Sequence, residues 1–292
     1  MTAVPVGVPA APVLPPGRTV ELAGRGTTFV RELGDPAAPA LVLLHGWCAN
    51  ADLNWWAVFD ALAADHHVVA LDQRGHSRGI RAPRPFTLED CADDVAALVD
   101  TLELGPATVV GYSMGGAVAQ LVWRRHPALV RALVLCATSR TFSGRPKERG
   151  LESLIDALAP SVRLLPPAVR AEVAIRILSG RRKDHDSWAW AAASLRSHDW
   201  LRIMEAGRAT LRFDSRPWAG DIDVPTAVIT TSADTVVPRD RQLELAAAIP
   251  AATTTELAGG HTTCATAPEA FAEVLVDACR SVAHPEILRR SA

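Results

Sequence analysis

The strongest constraint in this chain is a rhythm. Five short, unbroken apolar runs, ALVLL (40–44), HHVVALD (66–72), ATVVGYS (107–113), RALVLCA (131–137) and PTAVITT (225–231), are separated by longer helix-like segments. A run with no polar alternation suits a strand buried on both faces, and such strands belong to parallel sheets covered by helices on each side. The segments between them, 52–64, 87–102 and 114–126, carry helical patterns. The second opens on Thr87-Leu88-Glu89-Asp90, a capping-box-like start with Asp at the usual Glu position. Ahead of these runs, TVEL and TTFVREL read as an opening antiparallel pair followed by the turn Gly34-Asp35-Pro36. The expected fold class is α/β, with a mostly parallel sheet flanked by helices.

The rhythm breaks between 141 and 215, where strand-like runs give way to LESLIDALAP, AVRAEVAIRIL and SWAWAAASLRSHDWLRIMEAG, and resumes at Val224-Pro225. An all-helical insertion in a parallel sheet most simply forms a cap over one end of it. The expected organisation is a poorly ordered tail over 1–17, a core over 18–140 and 216–292, and a helical cap over 141–215. Prolines at 5, 9, 12, 15 and 16, with no Lys or Arg before Arg18, make the tail a poor signal peptide. No apolar stretch approaches the roughly 18 residues that cross a bilayer.

Charge excludes further classes. Thirty basic residues against thirty-two acidic ones, a net charge of −2, leave no excess for a polyanion-binding surface, so no nucleic-acid partner is expected. Five scattered cysteines (48, 91, 136, 264 and 279) form no C-x-x-C pair, which points to a reducing compartment, the cytoplasm. The chain has no H-E-x-x-H, Walker A or G-x-G-x-x-G motif, and His261-x-x-Cys264 lacks the matching pair of a zinc site.

The sharpest local signal is Gly111-Tyr112-Ser113-Met114-Gly115-Gly116, set between a strand-like run and the helix-like AVAQLVW. G-x-S-x-G alone is a weak signal, and its weight comes from that context. On a tight strand-to-helix turn the serine oxygen is pushed outward, and Gly111 and Gly115 spare the turn its clashes. A nucleophilic serine needs a base, and the base an orienting acid. His261, in LAGGHTTC, and Asp234, in ITTSADTVVP, both fall at strand-end loops, where open parallel sheets gather reactive groups. A histidine beside Gly-Gly also serves as a plain loop residue, and an Asp before Thr-Val-Val-Pro as a turn former. The chain order Ser, Asp, His favours the catalytic reading.

On these residues, together with Leu44-His45-Gly46-Trp47 and Asp72-Gln73-Arg74-Gly75-His76-Ser77, the chain resembles the α/β-hydrolase superfamily from about residue 18 onward. The branch is the one with a helical cap after the sixth strand. The resemblance implies that the Trp47 and Met114 amides form an oxyanion hole, and that His45 and Gly46 shape the loop carrying the first. It implies no metal or organic cofactor. One stretch departs from the family's D-x-R-G-x-G-x-S pattern: Ser77 and Gly79 exchange serine and glycine.

The expected function is a serine hydrolase cleaving carboxylic esters of small to medium apolar substrates through an acyl-enzyme on Ser113. Carbon–carbon bond hydrolases, thioesterases and cofactor-free haloperoxidases share these motifs. A small-molecule binding protein without turnover is the alternative of another class. Ser113 argues against the haloalkane dehalogenases and epoxide hydrolases, whose nucleophile is Asp. Trp188, Trp190 and Trp200 are read as cap packing, and Trp55 and Trp56 as core and rim of the first helix. His66-His67 is read as the mark of an exposed strand edge, and Cys48 as bordering the pocket without being an activated thiolate. With only Lys147 and Lys183 as lysines, recognition of a charged substrate would fall to arginines such as Arg74, Arg140 or Arg181. Oligomeric state is not legible in the sequence.

Overall fold

The computed structural model describes residues 12–81, 84–145, 161–179, 186–250 and 252–283, with isolated positions between 148 and 157. Residues 1–11 of the expected tail, part of the 141–215 segment, and Lys147, Arg181 and Lys183 lie outside the described residues, as does the Trp188 side chain.

Eight strands form one sheet: β1 (Gly17–Leu22), β2 (Gly26–Leu33), β3 (Ala40–Leu44), β4 (His67–Leu71), β5 (Ala107–Tyr112), β6 (Val130–Cys136), β7 (Thr226–Thr231) and β8 (Thr253–Leu257). Their order is β1-β2-β4-β3-β5-β6-β7-β8. β1 and β2 pair antiparallel, as does β2 with β4, and the strands from β4 to β8 run parallel. The chain before β1 already touches the sheet, since Arg31 donates to the Pro15 carbonyl at 2.6 Å.

The unbroken apolar runs follow from burial on both faces. In β3, Val42 and Leu44 enter one core while Leu41 and Leu43 enter the other. On the first face pack α3 (Leu88–Thr101), α4 (Met114–Arg125) and α8 (Arg239–Ala248). The second face is covered by α1 (Ala51–Trp55), α2 (Phe59–Ala63) and α9 (Pro268–Ala283), through Trp55, Phe59, Leu62, Phe271 and Leu275. Each such side chain, fully buried, stabilises the fold by about 1.5–3 kcal/mol. The capping box at α3 is present: the Thr87 hydroxyl accepts from the Asp90 amide, and the Asp90 carboxylate accepts from the Thr87 amide.

Two expectations need correction. The single helix over 52–64 is two short ones, with a turn at 56–58 closed by Val58 N donating to Trp55 O. Trp55, Val58, Phe59 and Leu62 stay buried across the break, so the apolar pattern does not register it. His66 and His67 do not mark an exposed edge. β4 lies inside the sheet between β2 and β3, and both histidines are buried, with His67 paired to Glu32 at 2.9 Å.

Between β6 and β7 lie α5 (Pro167–Ser179), α6 (Asp186–Arg196) and α7 (Trp200–Arg212). They share a small core of Ala171, Ile175, Ala192, Leu195, Trp200 and Ile203, with Cys48 and Leu53 packed against it.

Candidate active site

β5 and α4 meet at Ser113 with no intervening loop. To join them Ser113 takes φ +53° and ψ −116°, a left-handed conformation that costs a non-glycine residue about 1–3 kcal/mol. Its surroundings hold it there. Ser113 N donates to Cys136 O at 2.9 Å, and the Thr138 hydroxyl donates to Ser113 O at 2.8 Å. Glycines make the approach feasible: a Cβ on Gly115 would lie 2.0 Å from Leu44 O, and one on Gly111 2.3 Å from Gly115 O.

Because β3, β5, β7 and β8 end at the same side of the sheet, the residues that follow them converge. Asp234 follows β7, and His261 follows β8. His261 Nε2 lies 2.9 Å from Ser113 Oγ, and His261 Nδ1 lies 2.8 Å from Asp234 Oδ2. A carboxylate only accepts, so Nδ1 of the neutral ring carries the hydrogen, leaving Nε2 to accept the Ser113 hydroxyl. Behind the ring, the Tyr112 hydroxyl donates to His261 O at 2.9 Å.

Asp234 is held from every side. Oδ2 also accepts from the Thr231 hydroxyl at 2.8 Å and from Gln242 Nε2 at 3.3 Å, and Oδ1 accepts the amides of Val236 and Val237. Burial pushes its pKa up, but the hydrogen bond from His261, with the Val237 amide and Thr231 hydroxyl, holds it below the ordinary carboxylate value.

On the opposite side of Ser113, β3 runs into His45-Gly46-Trp47. A Cβ on Gly46 would sit 3.4 Å from Ser113 Cβ, so this loop abuts the serine. Asn54 Oδ1 accepts the Gly46 amide, His45 Nδ1 donates to Gly46 O, and His45 Nε2 accepts the Gln73 amide. His45 is fully buried. That burial, reinforced by the neighbouring His76, lowers its pKa to about 3 and keeps the ring neutral. Met114 is the first residue of α4, where the helix offers no acceptor to its amide. No acceptor among the described residues takes the Trp47 or Met114 amide.

The remaining sequence candidates fall elsewhere. Burial pushes the Cys48 thiol pKa up, away from thiolate chemistry. Arg74 is spent on a two-pronged contact with buried Asp94, and Arg140 reaches Glu244 at 3.4 Å. Trp200 is buried against Leu195 and Ile203, Trp190 is half-buried, and Trp55 lies in the core beside half-buried Trp56. The serine–glycine exchange has a local cause. Ser77 takes the left-handed place, φ +42°, while a Cβ on Gly79 would lie 2.3 Å from Gln73 O. Sequence reasoning missed Gln242 and the tie from Tyr112. Gln242 is fully buried, yet a glutamine in an exposed-looking helix such as RDRQLELAAA carries no signal of that.

Comparison with known proteins agrees with this architecture. The family model described as the alpha/beta hydrolase fold matches residues 39–176. A poly(3-hydroxyalkanoate) depolymerase of Ectopseudomonas oleovorans is 28% identical over 274 residues, covering 92% of this chain and 95% of that one. A pimeloyl-[acyl-carrier protein] methyl ester esterase of Neisseria meningitidis is 31% identical over 211 residues, 69% of this chain and 78% of that one. Among solved structures, the enol-lactonase from Burkholderia xenovorans superposes with a TM-score of 0.76 at 25% identity, covering 90% of this chain and 100% of that one. These relatives are hydrolases by name, and fold and sequence point to one class of enzyme. The chain belongs to the α/β-hydrolase family. Among the described residues no helix is long and apolar enough to cross a membrane.

Proposed function

We propose that the protein is a serine hydrolase acting on carboxylic esters with small to medium apolar groups. The observation that carries this reading is the hydrogen-bonded chain Ser113–His261–Asp234, with the serine presented on a left-handed turn beside the His45-Gly46-Trp47 loop. Ser113 Oγ attacks the ester carbonyl as its proton passes to His261 Nε2. Asp234 fixes the imidazole tautomer and stabilises the imidazolium. The oxyanion is received by the Trp47 and Met114 amides, whose preorganisation typically matters by several kcal/mol. Collapse expels the alcohol, which takes the proton from His261 and leaves an acyl group on Ser113. Water, deprotonated by His261, then attacks the acyl carbonyl, and the acid departs as Ser113 Oγ takes that proton back from His261.

The helical segment over 141–215 acts as a cap, with residues 18–140 and 216–292 as the catalytic core. The apolar character of the segment, and the part-exposed Trp47 indole at its border, support an apolar substrate. The methyl ester esterase name of one relative supports the bond class. Five free cysteines support a reducing compartment, the cytoplasm. The test is initial rates on p-nitrophenyl esters of graded acyl length, wild type beside Ser113→Ala. Turnover by the wild type with nearly all activity lost in the variant is expected. Equal inertness of both would remove the esterase reading.

A further inference from the structure

We infer that His198, in the turn between α6 and α7, is a positioning residue for the oxyanion loop, so that the helical segment holds the backbone presenting the Trp47 amide. This rests on the reading of Ser113 as nucleophile and Trp47 as an oxyanion donor.

Loop 45–50 is fastened to the helical segment at three points. Asn50 Nδ2 donates to Ser194 Oγ at 2.7 Å, His198 Nε2 donates to Cys48 O at 3.3 Å, and Trp47 Nε1 donates to Ile203 O at 2.6 Å. The Trp47 indole also lies where a Cβ on Gly207 would come within 2.7 Å of it. The same turn grips the second loop, 72–79. His198 Nδ1 accepts the Ser77 amide at 2.8 Å, and Ser77 Oγ lies 2.8 Å from Ser197 Oγ and 3.2 Å from Asn50 Nδ2. His198 is therefore a bridge, accepting from one loop and donating to the other. Only the neutral ring with hydrogen on Nε2 satisfies both bonds.

The strained residue of the loop is the one His198 holds. Cys48 stands at φ +61°, a conformation that a non-glycine residue keeps only when its surroundings impose it. Its carbonyl is turned to His198 Nε2, while Ala49 N donates to Gly46 O at 3.2 Å to close the turn around Trp47. Releasing the carbonyl lets this turn relax and moves the Trp47 amide. The exchange at Ser77 reads as the sequence mark of the same device. A glycine there would supply the amide for His198 but no hydroxyl for Asn50 and Ser197. Both ring nitrogens of His198 are engaged with the two loops, so it acts through them.

The test compares wild type with His198→Phe, which keeps an aromatic ring without nitrogens, and His198→Gln, whose amide can both accept and donate. Two readouts are taken: kcat and KM on a p-nitrophenyl ester, and inhibition by an alkylboronic acid. The boronic acid accepts the Ser113 oxygen, with the proton passing to His261, and places a tetrahedral oxygen at the oxyanion position. In His198→Phe, kcat falls about tenfold and boronate binding weakens by a similar factor, while KM stays within about twofold. His198→Gln recovers most of both. Ser194→Ala, which loosens the same loop at Asn50, gives a smaller loss in the same direction and decides the matter if the phenylalanine variant does not fold. A raised KM with kcat intact, or Gln and Ser194→Ala variants that respectively fail to rescue and match wild type, would overturn the positioning role. Wild type that neither turns over the ester nor binds the boronate overturns the underlying hydrolase reading instead.

Discussion

At the scale of single residues, the site is a set of constraints converging on two oxygens. Ser113 Oγ is brought to His261 Nε2 by a left-handed backbone that hydrogen bonds and close packing hold in place, and Asp234 gathers five donors around one carboxylate. Replacing Asp234 with asparagine keeps the shape but removes the charge and offers His261 Nδ1 a donor in place of an acceptor. The imidazole then favours the wrong tautomer. Asp234→Asn is expected to lower kcat by about 10³–10⁴ with little change in KM, by analogy with serine hydrolase triads in general. Steady-state kinetics alongside thermal melting check this, and a folded variant retaining more than a tenth of wild-type kcat would remove Asp234 from the mechanism. The order Ser113, Asp234, His261 was legible in the chain because each follows a strand-like run. Gln242 and Tyr112 were not, since nothing local distinguishes a side chain aimed at Asp234 or at the His261 carbonyl from one aimed at water.

At the scale of elements, legibility tracks burial on both faces. β3, β5 and β7 are buried throughout and β6 in all but Arg131, and a strand without polar alternation announces itself. β4 was equally visible as a strand, but its place was not. That β4 lies between β2 and β3 is a property of the strand order, which no local pattern encodes, and the exposed-edge reading of His66-His67 failed on that point. The break between α1 and α2 escaped for a different reason: its apolar residues keep helical spacing across a three-residue turn. Helices α5 to α7 could be foreseen as helices. Their contacts with loops 45–50 and 72–79 could not, because Asn50–Ser194 and Ser77–His198 join residues more than a hundred positions apart. Those contacts give Ser77, one of the two motif positions that broke the expected pattern, its physical account.

At the scale of the whole molecule, the two halves of the sheet cover and the helical segment meet around three buried histidines. His45 and His76 rings lie 5.0 Å apart, and His76 and His198 rings 5.9 Å apart. Burial lowers the pKa of each to about 3 from an ordinary value near 6.5. Between those values the unfolded chain binds protons that the folded one refuses. Their contribution to stability is therefore full above about pH 6.5 and is lost as pH falls toward 3, at roughly 1.4 kcal/mol per histidine per pH unit. Among the described residues His76 Nε2 is buried without a partner, so His76→Phe removes one of these titrating rings together with an orphaned acceptor. Denaturant unfolding at pH 7, 6 and 5 should show the variant gaining on wild type by about 0.7 kcal/mol from pH 7 to 6 and about 1.2 kcal/mol from pH 6 to 5. Parallel curves would show that His76 is not a neutral buried group in the folded protein.

The central claim, that Ser113 is the nucleophile, is tested most directly by acid-quenching the enzyme during turnover of a p-nitrophenyl ester and weighing its peptides. A mass increase equal to the acyl group is expected on the peptide carrying Ser113, absent from Ser113→Ala treated in the same way. Turnover with the acyl group on another residue, or turnover undiminished in the alanine variant, would contradict it.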